Sequence, residues 1–117
     1  MLKSITLFLL LTLPALAHDI TGKWQFTVET DAGSGSPTFV FKQAGEKLTG
    51  TYNGLFGTAQ LTGTVKGDAI EFSFEATMQD QKGKIVYTGK IQSATKMAGD
   101  TDLAGLGKGK WTGTKTD

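Results

Sequence analysis

The sequence predicts an all-β fold, a soluble eight-stranded antiparallel up-and-down barrel, and three observations carry that expectation. First, a five-residue phrase recurs along the chain: an apolar residue, Thr or Ala, Gly, a polar residue, then an inward-facing residue. It reads Ile20-Thr-Gly22-Lys-Trp24, Leu48-Thr-Gly50-Thr-Tyr52, Leu61-Thr-Gly63-Thr-Val65 and Tyr87-Thr-Gly89-Lys-Ile91, with weaker copies at Met97-Ala-Gly99-Asp-Thr101 and Trp111-Thr-Gly113-Thr-Lys115. Second, apolar and polar residues alternate with the period of a strand, and helical spacing is absent after the first 17 residues. Third, the connections are short and rich in Gly, Ser, Asp and Asn, as hairpins require.

The opening segment reads as a leader rather than as fold. Lys3 supplies a positive start, Ile5 to Leu13 an apolar run, and Ala15-Leu16-Ala17 a small-x-small cleavage site. The run is too short to cross a bilayer as a helix, so no membrane span is expected. Residues 1–17 are expected to be a cleaved secretory signal, and residues 18–117 a single barrel domain that is secreted or periplasmic.

Composition narrows the function classes. The chain has no Cys, so an exported domain of this size depends on packing and a closed hydrogen-bonded sheet rather than on disulfides. Beyond the leader, 11 Lys balance 11 acidic residues and Arg is absent, which removes the basic excess and the guanidinium forks that nucleic acid binding favours.

Eight runs read as strands, at about 20–30, 37–43, 47–53, 59–66, 69–77, 83–91, 95–102 and 107–115. Their inward face carries Trp24, Phe26, Val28, Phe39, Phe41, Leu48, Tyr52, Leu61, Val65, Ile70, Phe72, Phe74, Ile85, Tyr87, Ile91, Met97 and Trp111. The other face carries Lys23, Thr27, Glu29, Glu71, Glu75, Lys84, Lys90 and Lys110. A membrane barrel would reverse this arrangement. The second and fifth strands carry Phe pairs, and each lies between two strands carrying the inward Gly, so Phe72 is expected to cover Gly89, and Phe39 or Phe41 to cover Gly50. Trp24 and Trp111 are expected at the seam between the first and last strands, each indole N–H with a partner.

The two ends of such a barrel differ. One gathers the short polar connections Lys42 to Lys47, Lys66 to Asp68 and Gln92 to Thr95. The other gathers the longer connections Thr30 to Pro37, Asn53 to Thr58, Thr77 to Gly83 and Leu103 to Gly107. This second end holds Leu55, Phe56, Met78, Leu103 and Leu106, and apolar residues clustered at loop tips mark binding surfaces. The alternative is that these side chains fold down and plug the end.

Catalytic chemistry is not expected. The lone His is His18, Glu71 and Glu75 alternate outward among lysines, and Asp31 and Asp80 are isolated, so neither a triad, an acid/base pair nor a metal or cofactor site is predicted.

The phrases Ile20-Thr-Gly-Lys-Trp24 and Gly45-Glu-Lys-Leu-Thr-Gly-Thr-Tyr52 resemble those of avidin and streptavidin, eight-stranded barrels in the wider lipocalin-like group. The strand order is similar over residues 18–117, and the motif likeness covers the first third. The resemblance implies ligand entry at the long-loop end, with Asn53 to Thr58 as a lid. Of the residues that hold biotin in that family, Tyr52 carries over, whereas Phe26, Gly54, Phe72 and Phe74 stand where the family has Asn, Ser and Trp.

The expected function is therefore a non-enzymatic barrel that captures a small apolar or amphipathic molecule. Tyr52, Asn53, Leu55, Phe56, Met78, Leu103 and Leu106 are the candidate ligand-binding residues. The alternative is a protein–protein interaction module, inhibitor-like or an envelope accessory protein, that uses the same loops over a filled barrel.

Overall fold

The computed structural model describes residues 18–31, 33–78 and 80–116, with the side chain of Met78 excepted. The expected leader, Met1 to Ala17, lies outside the described residues. Strands run β1 Gly22–Thr30, β2 Gly33–Gly35, β3 Thr38–Ala44, β4 Lys47–Gly54, β5 Gly57–Lys66, β6 Ala69–Met78, β7 Gln81–Ser93, β8 Lys96–Leu103 and β9 Lys108–Lys115. Every neighbouring pair is antiparallel, and β1 pairs with β9 to close the ring.

The ninth strand is the unexpected one. Residues 33–35 had the composition of a loop, yet β2 pairs with the upper half of β1 while β3 pairs with its lower half. The two ladders share one register, Val28↔Gly35 and Gln25↔Thr38, so β2 and β3 form a single strand interrupted at Ser36-Pro37. The interruption has a chemical cause. Phe26 N–H still donates to Pro37 O at 2.9 Å, but Pro37 has no N–H to return to Phe26 O. The side-chain amide of Gln25 takes its place, with Nε2 3.3 Å from Phe26 O, 3.0 Å from Ser36 O and 3.3 Å from Pro37 O.

That substitution gives a measurable coupling. Replacing Gln25 with Leu strips a main-chain carbonyl of its donor and is expected to cost about 1–2 kcal/mol in urea denaturation. In a Pro37→Ala background, where the Ala N–H can donate to Phe26 O, the same replacement should cost clearly less. Equal losses in both backgrounds would refute the substitution.

All seventeen residues assigned to the inward face are buried, with Ile20, Ala76, Thr101 and Leu103 in addition. Phe26 is the hub of the interior. Its ring stacks on Trp111 (centroids 4.6 Å apart, 8° between planes) and lies 4.5 Å from Phe39. Phe72 and Tyr87 stack at 4.9 Å, and Phe74 and Tyr52 at 4.2 Å. Packing of this kind fills the barrel with rings rather than leaving a lumen.

Glycine opposite bulk is what lets the rings fit. Phe41 faces Gly50 as expected, but Phe72 faces Gly63, not Gly89, because β6 is in register with β5 there. Ile70 is the register partner of Gly89, and the Trp111 indole lies over it: a Cβ at Gly89 would stand 2.6 Å from Trp111 Cζ2. Trp111 sits at the β1–β9 seam and donates Nε1–H to Asp100 O at 2.9 Å and Thr88 O at 3.2 Å. Trp24 donates its own to Ile20 O at 2.9 Å. Ile20 itself is fully buried beneath the barrel, tied by its N–H to Gln43 Oε1 at 3.0 Å.

Two departures affect the upper end. The connections expected to be long are mostly tight: Gly54 pairs with Gly57 across a Leu55-Phe56 turn, and Met78 pairs with Gln81. Strand pairing continues where loops were expected because the alternating side chains still bury one face, Ala76 among them. Secondly, β5 and β6 are paired only from Lys66↔Ala69 to Thr62↔Ser73. Above that point each keeps its other neighbour, β4 and β7 respectively, and the two part.

Candidate functional site

The upper end of the barrel holds a cavity of about 180 Å³ lined by Val28, Thr30, Tyr52, Leu55, Phe56, Tyr87, Leu103 and the Gly33–Pro37 segment. It lies between β2 and the Leu55-Phe56 turn, and its lining is mainly apolar. Each wall follows from the sequence. Val28, Tyr52 and Leu103 reach it as the uppermost buried positions of their strands, and Tyr87 reaches it from the inward position below Ile85. Gly33 and Gly35 form a bare backbone wall, where an added Cβ would meet nothing within 4 Å.

Tyr52 fixes the opposite wall. Its hydroxyl accepts the Phe56 N–H at 3.2 Å, which ties the turn to the core. The ring is buried and stacked on Phe74. Burial raises the Tyr52 phenol above its ordinary value, against hydrogen bonds from the Phe56 and Leu55 backbone. Tyr87 is raised strongly, first by burial and then by the nearby Tyr52, with Thr101 opposing. Both phenols therefore stay protonated in neutral solution. They can orient a polar group but cannot serve as bases there.

The expected site residues separate into three groups. Tyr52, Leu55, Phe56 and Leu103 converge on the cavity. Leu103 is buried and Phe56 packs against the core, so these two fold down as plugs, whereas Leu55 remains 81% exposed at the rim. Asn53 and Leu106 do not line the cavity. Asn53 alternates outward, and its carbonyl accepts the Thr38 hydroxyl at 3.5 Å. Leu106 is exposed in the Ala104–Gly107 connection. The Met78 side chain lies outside the described residues. The lid implied for Asn53 to Thr58 is instead a tight hairpin end, fixed by the Gly54↔Gly57 pair and the Tyr52 hydroxyl. What the sequence did not reveal is the contribution of residues 33–37, since a Gly-Ser run gives no sign of being a wall.

Among the described residues no group of three or more His, Cys, Asp or Glu is placed to hold a metal ion. A larger groove of about 540 Å³ crosses the outer face over β1 and β7–β9. It is open and charge-laced, with Lys110 Nζ 2.7 Å from Asp100 Oδ1 and both side chains mostly exposed. Ion pairs so hydrated contribute little and organise no chemistry.

No protein-family model matches the chain, and no curated protein matches it. Among solved structures it is similar to two designed proteins. One is a redesigned beta barrel, b11L5F_LGL, at 16% identity and a TM-score of 0.70, covering 88% of this chain and 94% of that one. The other is a redesigned beta barrel, mFAP1, bound to DFHBI, at 16% identity and a TM-score of 0.58, covering 83% and 94%. At this identity the likeness supports the β-barrel fold and no more.

Proposed function

We propose that this chain is a non-enzymatic binding barrel that captures a small apolar or amphipathic molecule at its upper mouth. The observation that carries the reading is the apolar cavity beside an exposed Leu55, with Tyr52 and Tyr87 in its lining. The DFHBI-bound barrel shares this architecture and supports the reading by analogy. At about 180 Å³ the cavity lies below the usual range for drug-sized ligands, roughly 300–1,000 Å³. The ligand is accordingly small, or one apolar group of a larger molecule enters while the rest lies against Leu55. The chain is read as exported to the periplasm or medium, with residues 1–17 removed.

A second reading is favoured by the ring-filled interior. A protein partner could place one apolar side chain in the same cavity and rest on the Leu55 rim, with no lumen required.

Native mass spectrometry of the purified protein separates the two readings. A co-purifying small molecule that is lost from a Leu55→Asp/Phe56→Asp variant supports capture, with affinity expected to fall tenfold or more, since about 1.4 kcal/mol of lost apolar contact suffices. Retention of the molecule by that variant would remove the mouth as the site. An adduct-free protein whose protein partner is lost on the same substitutions would favour the second reading.

A further inference from the structure

The parting of β5 from β6 has a consequence that does not depend on the mouth. In a hairpin with a two-residue turn, the residues flanking the turn exchange both hydrogen bonds, and such pairs recur at every second position. Gly54 and Gly57 flank the β4–β5 turn, so Ala59 and Leu61 bond to β4, and the main-chain groups of Thr58 and Gln60 point the other way. Met78 and Gln81 flank the β6–β7 turn, so Phe74 and Ala76 bond to β7, and those of Glu75 and Thr77 point away from it. In register these positions would continue the β5–β6 ladder beyond Thr62↔Ser73, but that ladder has ended. Among the described residues no register pair joins β5 to β6 above Thr62↔Ser73, so no ladder takes up these groups. Two facing strand edges are left open.

The space between them is a groove of about 500 Å³ lined by Thr58, Ala59, Gln60, Thr62, Ser73, Phe74, Glu75 and Lys84. Phe74, almost fully buried and stacked on Tyr52, provides an apolar patch within it. Free sheet edges are normally blunted, often with Lys. That is the case on the far side of the same hairpin, where β7 carries Lys82 and Lys84 above its last β8 pair, Ile85↔Leu103. The facing edges carry Thr58, Gln60 and Thr77 instead, with only Glu75 charged.

We propose that this slot is a strand-addition site for a single extended segment of a partner polypeptide. The unmade ladder bonds specify an extended backbone, which alone presents N–H and C=O groups to both sides at the strand repeat. The Phe74 patch favours a small apolar residue at the inward-facing position, with polar residues on either side of it. The slot narrows to a closed vertex at Thr62↔Ser73, and each edge faces the other edge of the same chain. A second barrel would have to bring a whole wall to that vertex, whereas one unaccompanied strand brings only its own two edges.

The probe is a seven-residue peptide of alternating Thr and Val, added at up to millimolar concentration to the full protein and followed by amide hydrogen exchange. In the free protein the Thr58, Gln60, Glu75 and Thr77 amides are expected to exchange rapidly. With peptide they should slow by about tenfold or more, and a peptide N-methylated at alternate residues should give no protection. Thr77→Pro removes one slot-facing donor without touching a β7 ladder bond, so the variant should keep its melting temperature and lose the protection. Gln60→Pro provides the same test from the β5 side if the first variant misfolds. Leu55→Asp should leave the peptide effect unchanged, which keeps this site separate from the mouth. Slow exchange in the free, dilute protein would mean a zipped wall and would overturn the proposal. So would unaltered exchange at saturating peptide, or equal protection of the proline variants. Protection that appears only as the free protein is concentrated would assign the edges to a second copy and overturn the partner segment.

Discussion

Gly99→Ala is expected to destabilise the barrel by at least about 3 kcal/mol, at the upper end of what overpacking ordinarily costs. A Cβ there would stand 1.9 Å from Thr88 O and 2.5 Å from Gly89 Cα, so it meets main chain that cannot rotate aside. Gly99 and Gly89 are register partners beneath the Trp111 indole, and separating them strains both the β7–β8 ladder and the two indole hydrogen bonds. For a domain of this size the loss corresponds to a fall in Tm of roughly 12 °C or more. Gly35→Ala is the matched control. No atom lies within 4 Å of its added Cβ, and its stability should be unchanged or slightly raised. A Gly99→Ala protein that melts with the parent would mean that β7 and β8 do not approach as closely as described.

Phe26→Ala is expected to cost about 3–5 kcal/mol, the usual range for deleting a buried Phe. The site has little means of collapsing. Phe39, Phe41, Phe72, Tyr87 and Trp111 all surround the ring, held from the four strands β3, β6, β7 and β9. Phe26 also covers Gly113, where a Cβ would be 2.6 Å from the ring. Chemical denaturation should show a lower midpoint. A hydrophobic dye should gain a binding site in the folded variant, because the new cavity adjoins the ring cluster below the mouth. Phe26→Leu, which preserves much of the volume, should lose clearly less. If the Leu and Ala variants were equally unstable, ring contacts rather than filled volume would account for most of what Phe26 contributes.

Both predictions rest on features that the sequence made legible to different degrees. The inward face was readable throughout, because period-two alternation is the most direct consequence of strand geometry and each Thr-Gly phrase repeats it. Ring closure was readable from the strand count and from aromatic residues at both ends of the fold. Cross-strand register was less accessible. Phe72 opposite Gly63 rather than Gly89 depends on which neighbour a strand meets at a given height, and no local pattern encodes that. Gly33–Gly35 was hidden for a related reason. Its pairing comes from β1, while its own residues carry no strand propensity. At the mouth, Tyr52, Leu55, Phe56 and Leu103 were identifiable from apolar character beside turns. Asn53 was drawn in by adjacency, whereas alternation in fact turns it outward.

The β1–β9 seam sets the order in which the molecule can assemble. Consecutive hairpins form from neighbouring residues, but Phe26 meets Gly113 and Trp111 only when segments more than 80 residues apart come together. Such a topology folds slowly for its size, on a scale of milliseconds to seconds. Until the final strand arrives, the aromatic hub stays exposed to solvent. An emerging polypeptide therefore remains in an unlocked condition through most of its synthesis, and the ring is sealed only by its last segment.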